Sequence, residues 1–161
     1  MVRVSEDEPR LRPATQAEFE QWLPRQEAAY AEMIIVSGAM PPEAAREKAR
    51  RDATRTFSAG LDSPGQLVFR VLAGDTPVGW LWLAVPGPDD PAMAWVYDVA
   101  VDEDYRGRGY GRQAMLLAER EARARGMTSI GLNVHGGNTV AISLYDSLGY
   151  EVTAQQMKKP L

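Results

Sequence analysis

The chain of 161 residues has an ordinary globular composition, with 45% hydrophobic and 25% charged residues and a formal net charge of −4. It contains no cysteine and one histidine, which excludes a cysteine nucleophile, disulfides, thiolate metal sites and a His-rich zinc site, so no bound metal is expected. The negative charge argues against nucleic acid as a partner, and no apolar run approaches the roughly 18–20 residues that span a bilayer.

The first elements predicted along the chain are a short strand and a long helix. Residues 9–13 predict the strand, and residues 15–38 the helix. Thr15 with Glu18 three positions later is a capping-box signature, which marks the helix start. Pro24 predicts a kink or a break within this helix.

A second helix and three strands follow. Residues 41–60 have proline first, an acid early, bases later and a terminal glycine, the usual order for a helix. Residues 66–73 and 77–86 are rich in β-branched and aromatic residues around a turn, which predicts a hairpin. Residues 92–101 are apolar throughout and predict a central strand.

The last part of the chain alternates helices and strands. Residues 111–126 carry apolar positions at helical spacing and end in glycine, and residues 127–134 predict a strand. Residues 138–149 predict a short helix capped by an asparagine, and residues 150–159 can supply one or two final strands.

The resulting order, β-α-α-β-β-β-α-β-α-β(-β), predicts a mixed α/β fold. The length fits a single domain over residues 1–161. The N-terminal stretch has acids and a proline where a signal peptide needs an apolar run, so a cytoplasmic protein is expected.

The stretch "YRGRGYGRQAM" joins the central strand to the helix that follows it. Its three glycines allow the backbone to approach a ligand, its arginines offer donors to phosphate, and the helix start adds unpaired N–H groups. A phosphate or pyrophosphate site is therefore predicted. The glycine spacing matches neither Walker A nor the dinucleotide fingerprint. The alternative is a tight turn with surface arginines.

Two segments together resemble the GNAT N-acetyltransferases. "VAVDEDYRGRGYGRQAM" is similar to the family's acetyl-coenzyme-A signature, and "LNVHGGNTVAISLYDSLGYE" is similar to its second half, in the same order. The resemblance covers residues 66–160 well. Stretches such as "YAEM" and "VGWLW" are similar to a subgroup of uncharacterised bacterial members with two N-terminal helices. The GNAT acyl-CoA N-acyltransferase fold is implied.

The resemblance implies acetyl-CoA, or coenzyme A, as co-substrate. The turn's N–H groups would hold the pyrophosphate, the strand before it would bond the pantetheine arm, and Tyr145 would donate a proton to the leaving thiolate. The implied cofactor-binding residues are Val99, Ala100, Val101, Arg106, Gly107, Arg108, Gly109, Tyr110, Gly111, Arg112, Asn138 and Tyr145.

Asn138 and Tyr145 lie seven positions apart, which places them on one helix face. The alternative for Asn138 is a plain N-cap, and it can also be both. The alternative for Tyr145 is packing against Leu144 and Leu148.

The general base is left between two residues. Some family members place a glutamate where this chain has Asn133, so this position offers no carboxylate as a base. Asp98 lies on the cofactor strand, but alternation turns it away from Val99 and Val101, and a buried structural carboxylate is the alternative. The ordinary pKa range of a histidine suits a general base, which makes His135 a candidate. The alternative is that His135 is a surface or hydrogen-bonded residue.

An acceptor pocket is expected from the N-terminal helices and the far side of the sheet. Its candidate residues are Tyr30, Glu32, Trp80, Trp82, Trp95 and Tyr97. The alternative is that the aromatic residues belong to the sheet core. An aromatic wall suits a cationic or apolar acceptor.

The function predicted is transfer of an acetyl group from acetyl-CoA to a primary amine by direct attack, because no cysteine can carry the acetyl group. The acceptor is an amine of a small molecule, peptide or protein, with no nucleic acid or membrane partner, and a homodimer is considered. The alternative from another class is a non-catalytic acyl-CoA sensor.

Overall fold

A computed structural model describes residues 8–161. The strands are β1 (Pro9–Pro13), β2 (Gln66–Ala73), β3 (Thr76–Ala84), β4 (Met93–Val101) and β5 (Ser129–Leu132). The helices are α1 (Gln16–Val36), α2 (Pro42–Thr56), α3 (Tyr110–Ala124) and α4 (Thr139–Ser147), with 3-10 turns at Gly60–Asp62 and Glu103–Tyr105. The mixed α/β fold expected from the sequence is confirmed.

The five strands form one sheet in the order β1-β2-β3-β4-β5, with antiparallel pairing from β1 to β4. Two register shifts interrupt it. Val78 is an extra residue in β3 opposite β2, and Tyr97 is an extra residue in β4 opposite β3. A bulge of this kind bends the strand and redirects side chains.

One face of the sheet carries an aromatic core. Trp80 and Trp82 of β3 pack against a buried cluster that includes Trp22 of α1 and Phe57, the residue at the end of α2. Alternation places Leu81 and Leu83, both fully buried, on the other face. The helix α3 contacts β1, β3 and β4 and buries a stripe of small and apolar residues, Ala114, Met115, Ala118 and Ala122.

The chain divides into a larger unit that ends at Gly131 and a smaller one over Leu132–Leu161. The smaller unit holds the last residue of β5, the helix α4 and the C-terminal segment. The prediction of a single domain stays a prediction. Within residues 8–161, no helix has both the length and the apolar character needed to cross a membrane.

Three expectations about the elements differ from the structure. Of the kink or break expected at Pro24, the break does not occur, because buried side chains before and after it, Trp22 and Ala31, hold α1 against the rest of the unit. The strand expected at 127–134 has only four residues. No strand forms at 150–159, because this segment leaves side chains such as Val152 and Met157 exposed and so buries little apolar surface.

Candidate functional site

The turn between β4 and α3 has an open surface. Gly109 is the N-cap of α3 with φ of 83°, and Gly107 has φ of 73°. Apart from the two adjoining residues, nothing lies within 4 Å of where a Cβ would stand on either glycine. No side chain caps the helix. The first-turn N–H groups lack helical partners, and the helix dipole is positive there, so this surface is suited to an anion.

The arginines of the turn have distinct positions. The Nε of Arg106 donates a 3.1 Å hydrogen bond to the carbonyl oxygen of Val101, so this side chain links the turn to the end of β4. The guanidinium of Arg108 lies 5.7 Å from the ring centroid of Tyr105. Arg112 is exposed in the first turn of α3. Each therefore adds positive charge near the turn.

The strand that precedes the turn is held closely by β3. Val99 and Val101 pair with Leu81 and Gly79. A Cβ on Gly79 would lie 2.3 Å from the carbonyl oxygen of Ala100, so only glycine permits this approach. Residues Val99, Ala100 and Val101 are partly exposed.

The extra residue in β4 places two polar side chains beside the aromatic core. Asp98 pairs with Trp82, on the face opposite Val99, and the ring of Tyr97 stacks on Trp82 with centroids 4.5 Å apart. Tyr97 is 42% exposed and Asp98 is partly buried. Burial raises the pKa of Asp98 to about 6. Burial and then the charge of Asp89 raise the pKa of Tyr97.

The other aromatic candidates of the sheet pack against neighbouring residues. Trp80 stacks on Trp22 of α1 with centroids 6.1 Å apart, and Trp82 lies edge-on to the same ring at 5.5 Å. Trp95 packs on Gly131, where a Cβ would lie 2.8 Å from its ring. Of the aromatic candidates, Tyr97 therefore offers the most accessible ring.

The two candidates on α1 make other contacts than those of the aromatic residues of the sheet. The ring of Tyr30 is covered by the ammonium of Lys48 of α2, 5.5 Å from its centroid, and Lys48 pairs with Asp52. Glu32 is exposed on α1. The described contacts join neither residue to Trp80, Trp82 or Tyr97.

The smaller unit contains the remaining candidates. Asn138 is the N-cap of α4, and its Oδ1 accepts a 3.2 Å hydrogen bond from the N–H of Ala141. The ring of Tyr145 lies 5.7 Å from that of Tyr150. His135 is exposed, and its carbonyl oxygen accepts from the N–H of Asn138 at 2.9 Å.

Comparison with known proteins assigns the family. The model of the acetyltransferase (GNAT) family matches residues 15–150. The chain belongs to the GNAT family. This GNAT protein is 30% identical to the uncharacterised N-acetyltransferase YycN of Bacillus subtilis over 94% of this chain and 97% of YycN. The crystal structure of YycN matches with a TM-score of 0.86 at 32% identity, covering 95% of this chain and 98% of YycN.

Two other similar proteins have named activities. The mycothiol acetyltransferase of Rhodococcus erythropolis is 36% identical over 60% of this chain and 33% of that enzyme. The aminoglycoside enzyme AAC(6′)-Iy, solved with a bisubstrate analogue of coenzyme A, has a TM-score of 0.61 at 16% identity over 95% of this chain and 97% of that one, a likeness of fold alone. The GNAT protein described here is accordingly an acetyltransferase.

Three residues important to the geometry were missed from the sequence. Arg70 is a lone charge within the apolar strand β2, and Gly79 and Gly131 interrupt strands. A charge in an apolar run signals a buried pair, and a glycine in a strand signals close backbone approach. Neither signal names the partner, which depends on pairing between strands.

Proposed function

We propose that this acetyltransferase moves the acetyl group of acetyl-CoA to a primary amine of a small molecule, peptide or protein within a ternary complex. The open, glycine-lined start of α3 is the observation that carries the proposal. It follows the partly exposed strand end Val99–Val101 after the 3-10 turn Glu103–Tyr105, so one extended ligand can lie along both. An anion at the turn and an amide-bearing arm at the strand are the two ends of such a ligand.

The residues of the turn fit a pyrophosphate. Gly107 and Gly109 present backbone without side chains, and Arg108 and Arg112 add positive charge. The strand residues Val99, Ala100 and Val101 are proposed to bond the pantetheine arm. Asn138 and Tyr145 keep their proposed cofactor contacts on the basis of the family resemblance.

The proposed reaction is a direct transfer. The neutral amine nitrogen attacks the thioester carbonyl carbon, a C–N bond forms, the C–S bond breaks and the sulfur leaves as thiolate. One proton must leave the amine and one must reach the thiolate. Tyr145 is the proposed proton donor, since a phenol O–H beside the leaving sulfur can donate its proton as the thiolate develops.

Asp98 is the proposed acceptor of the amine proton. It lies beside the exposed ring of Tyr97, and burial raises its pKa to about 6, which makes the carboxylate a stronger base than an ordinary aspartate. His135 remains the alternative base. The exposed face of Tyr97 would hold the cationic form of the amine as it arrives. That form first releases one proton to solvent, and the neutral amine then attacks and gives its second proton to Asp98. The cytoplasmic location and the homodimer stay predictions.

A calorimetric titration with coenzyme A tests the binding half of this proposal. Gly109→Glu should abolish binding, because its carboxylate would occupy the anion site. Gly126→Glu is the matched control: Gly126 also has positive φ, at 81°, and open space, but lies beyond the other end of α3. Equal affinity in the wild type and Gly109→Glu would contradict the assignment of the turn.

Release of coenzyme A thiol from acetyl-CoA, measured over a panel of primary amines, tests the chemical half. Amine-dependent release by the wild type is expected, with Tyr145→Phe lowering turnover more than cofactor affinity. Binding of acetyl-CoA without release with any amine would favour the acyl-CoA sensor instead.

A further inference from the structure

Arg70 is a buried charge on β2, the second strand of the sheet. Only 8% of the residue is exposed, and its guanidinium lies 4.3 Å from the ring centroid of Trp80, its cross-strand partner in β3. One Nη donates a hydrogen bond to Oδ2 of Asp102 at 3.1 Å, which also makes an ion pair. A buried guanidinium is costly unless it is paired, so this contact is a strong constraint on both side chains.

Asp102 stands where β4 ends and the turn begins. Its N–H donates to the carbonyl oxygen of Val78, the extra residue of β3, at 2.9 Å. Its own carbonyl oxygen accepts from the N–H of Tyr105 at 2.9 Å, which starts the 3-10 turn Glu103–Tyr105. The backbone of Asp102 is therefore fixed by β3 and its side chain by β2.

This double attachment sets the direction in which the chain leaves the sheet. Residues before Asp102 form the strand end Val99–Val101, and residues after it lead to Gly107 and Gly109. Without the contact between Arg70 and Asp102, the backbone hydrogen bonds and the hydrogen bond from Arg106 to Val101 would still hold the strand and the turn, but the angle between them would be less restricted. Two parts of one ligand site would then vary in their mutual position.

We propose that Arg70 and Asp102 are a positioning pair that fixes the strand Val99–Val101 relative to the anion-binding turn, so that a ligand spanning both is bound in one piece. The inference rests on the proposed binding of coenzyme A. Neither residue needs to touch the ligand. Each half of the site binds its own fragment whether or not the pair is intact.

Such a role has a signature that a purely structural one lacks. When one part of a two-part ligand is bound, the other part is held near its subsite at an effective concentration. This effective concentration raises the affinity of the whole ligand, and it depends on how well the two subsites are aligned. Loss of the pair should therefore weaken coenzyme A, which spans strand and turn. ADP, which occupies the turn, and pantetheine, which occupies the strand, should be affected little.

The test compares Asp102→Asn with Asp104→Asn, an exposed acid two positions later, by titrating both with coenzyme A, ADP and pantetheine. The side chain of Asp102 is 40% exposed, so its amide variant is expected to fold. Asp102→Asn should weaken coenzyme A about 10-fold and each fragment less than about 2-fold, as expected for a change in effective concentration. Asp104→Asn should change none of the three.

The pairing itself is tested by a double-mutant cycle. Arg70→Met retains most of the packing on Trp80 but removes the charge, and Arg70→Met/Asp102→Asn should bind coenzyme A no more weakly than the weaker single variant. Arg70→Lys should restore part of the affinity, and thermal unfolding of each variant shows whether it folds. Additive losses would mean that the residues act separately, which contradicts the proposal.

The two proposals fail in different ways. If the wild type binds no coenzyme A, the proposed function is wrong and this inference falls with it. If the wild type binds coenzyme A but Asp102→Asn binds it equally well, only the positioning role is wrong. A loss that is as large for ADP as for coenzyme A would show that the pair shapes the turn alone, which also overturns the inference.

Discussion

The extra residue in β4 decides which side chains meet the aromatic core. Strict alternation predicts that Asp98 faces away from Val99 and Val101, and the pairing of Asp98 with Trp82 agrees. Alternation would also place Tyr97 opposite Asp98, yet the ring of Tyr97 stacks on Trp82 as well. Because of this bulge, an exposed aromatic ring and a carboxylate lie side by side on the proposed acceptor face.

Asp98→Asn is expected to stabilise the protein at neutral pH. The pKa of Asp98 is raised in the folded state to about 6 from an ordinary 3.8, so the folded state holds its proton more tightly. Stability therefore falls as pH rises from about 3.8 to about 6, and the cost is constant above that range. The amide of Asn cannot ionise, so it removes this cost and raises the free energy of unfolding by about 1–2 kcal/mol at neutral pH. This is less than the pKa difference implies, because Asp98 is partly exposed.

Denaturant unfolding of Asp98→Asn and wild type between pH 4 and pH 8 measures this gain. The difference in the free energy of unfolding should shrink toward zero as the pH falls to about 4. Asp75→Asn, at an exposed residue of the turn between β2 and β3, is the matched control for removing a carboxylate from the surface. A constant loss of stability at every pH would mean that Asp98 accepts a hydrogen bond that the amide cannot replace.

The start of α1 is the element whose local interactions followed most directly from the sequence. The capping box at Thr15 forms as predicted: Oγ1 of Thr15 accepts from the N–H of Glu18 at 3.2 Å, and Glu18 accepts from the N–H of Thr15 at 2.8 Å. The carboxylate of Glu18 also accepts hydrogen bonds from both Nη atoms of Arg12 of β1, at 2.7 and 3.0 Å. The hydrogen bond from Arg12 is the largest cause that lowers the pKa of Glu18 to about 2.

Glu18→Gln should destabilise the protein by about 1–2 kcal/mol at pH 7, the range for a lost cap and a partly exposed ion pair. The pKa of Glu18 is depressed below its ordinary 4.5, so the contribution is fully present above about pH 4.5 and is lost as pH falls toward about 2. Denaturant unfolding of Glu18→Gln between pH 2 and pH 7 measures this contribution to the free energy of unfolding. Glu20→Gln, at an exposed neighbour on α1, is the control. An equal effect of both substitutions would contradict it.

Predictions at the scale of elements succeeded where the signal is local. Caps, terminal glycines and hydrophobic periodicity placed the helices within a few residues, because each depends on neighbours in the chain. The failures concern burial. Of the kink or break predicted at Pro24, the break does not occur because α1 packs on both sides of the proline, and residues 150–159 have a strand-like sequence but no strand.

The candidate site could be predicted only in part from the sequence, because some of its contacts join residues that are far apart in the chain. The glycine turn was predictable because Gly107, Gly109 and the start of α3 are contiguous. The contact of Arg70 with Asp102 joins residues that are 32 positions apart and depends on the order of β2, β3 and β4. No local pattern states which strand a lone arginine will meet.

At the scale of the molecule, binding at the turn should be measurable as stability. All four tryptophans, Trp22, Trp80, Trp82 and Trp95, lie in the larger unit, and so does the turn. Tryptophan fluorescence therefore reports the unfolding of the unit to which the ligand is proposed to bind. A ligand that binds only the folded state raises its free energy of unfolding by an amount set by concentration and affinity.

Coenzyme A at 100 times its dissociation constant should raise the free energy of unfolding by about 2.7 kcal/mol, because the unfolded chain has no helix start to hold the pyrophosphate. Urea titration followed by tryptophan fluorescence, with and without ligand, measures the increase. Gly109→Glu should show no increase and Gly126→Glu the full increase. A side chain at positive φ is strained in both variants, so each is compared with its own unliganded form. Stabilisation that survives in Gly109→Glu would place the bound ligand away from the turn and leave the β4–α3 junction with a role in folding alone.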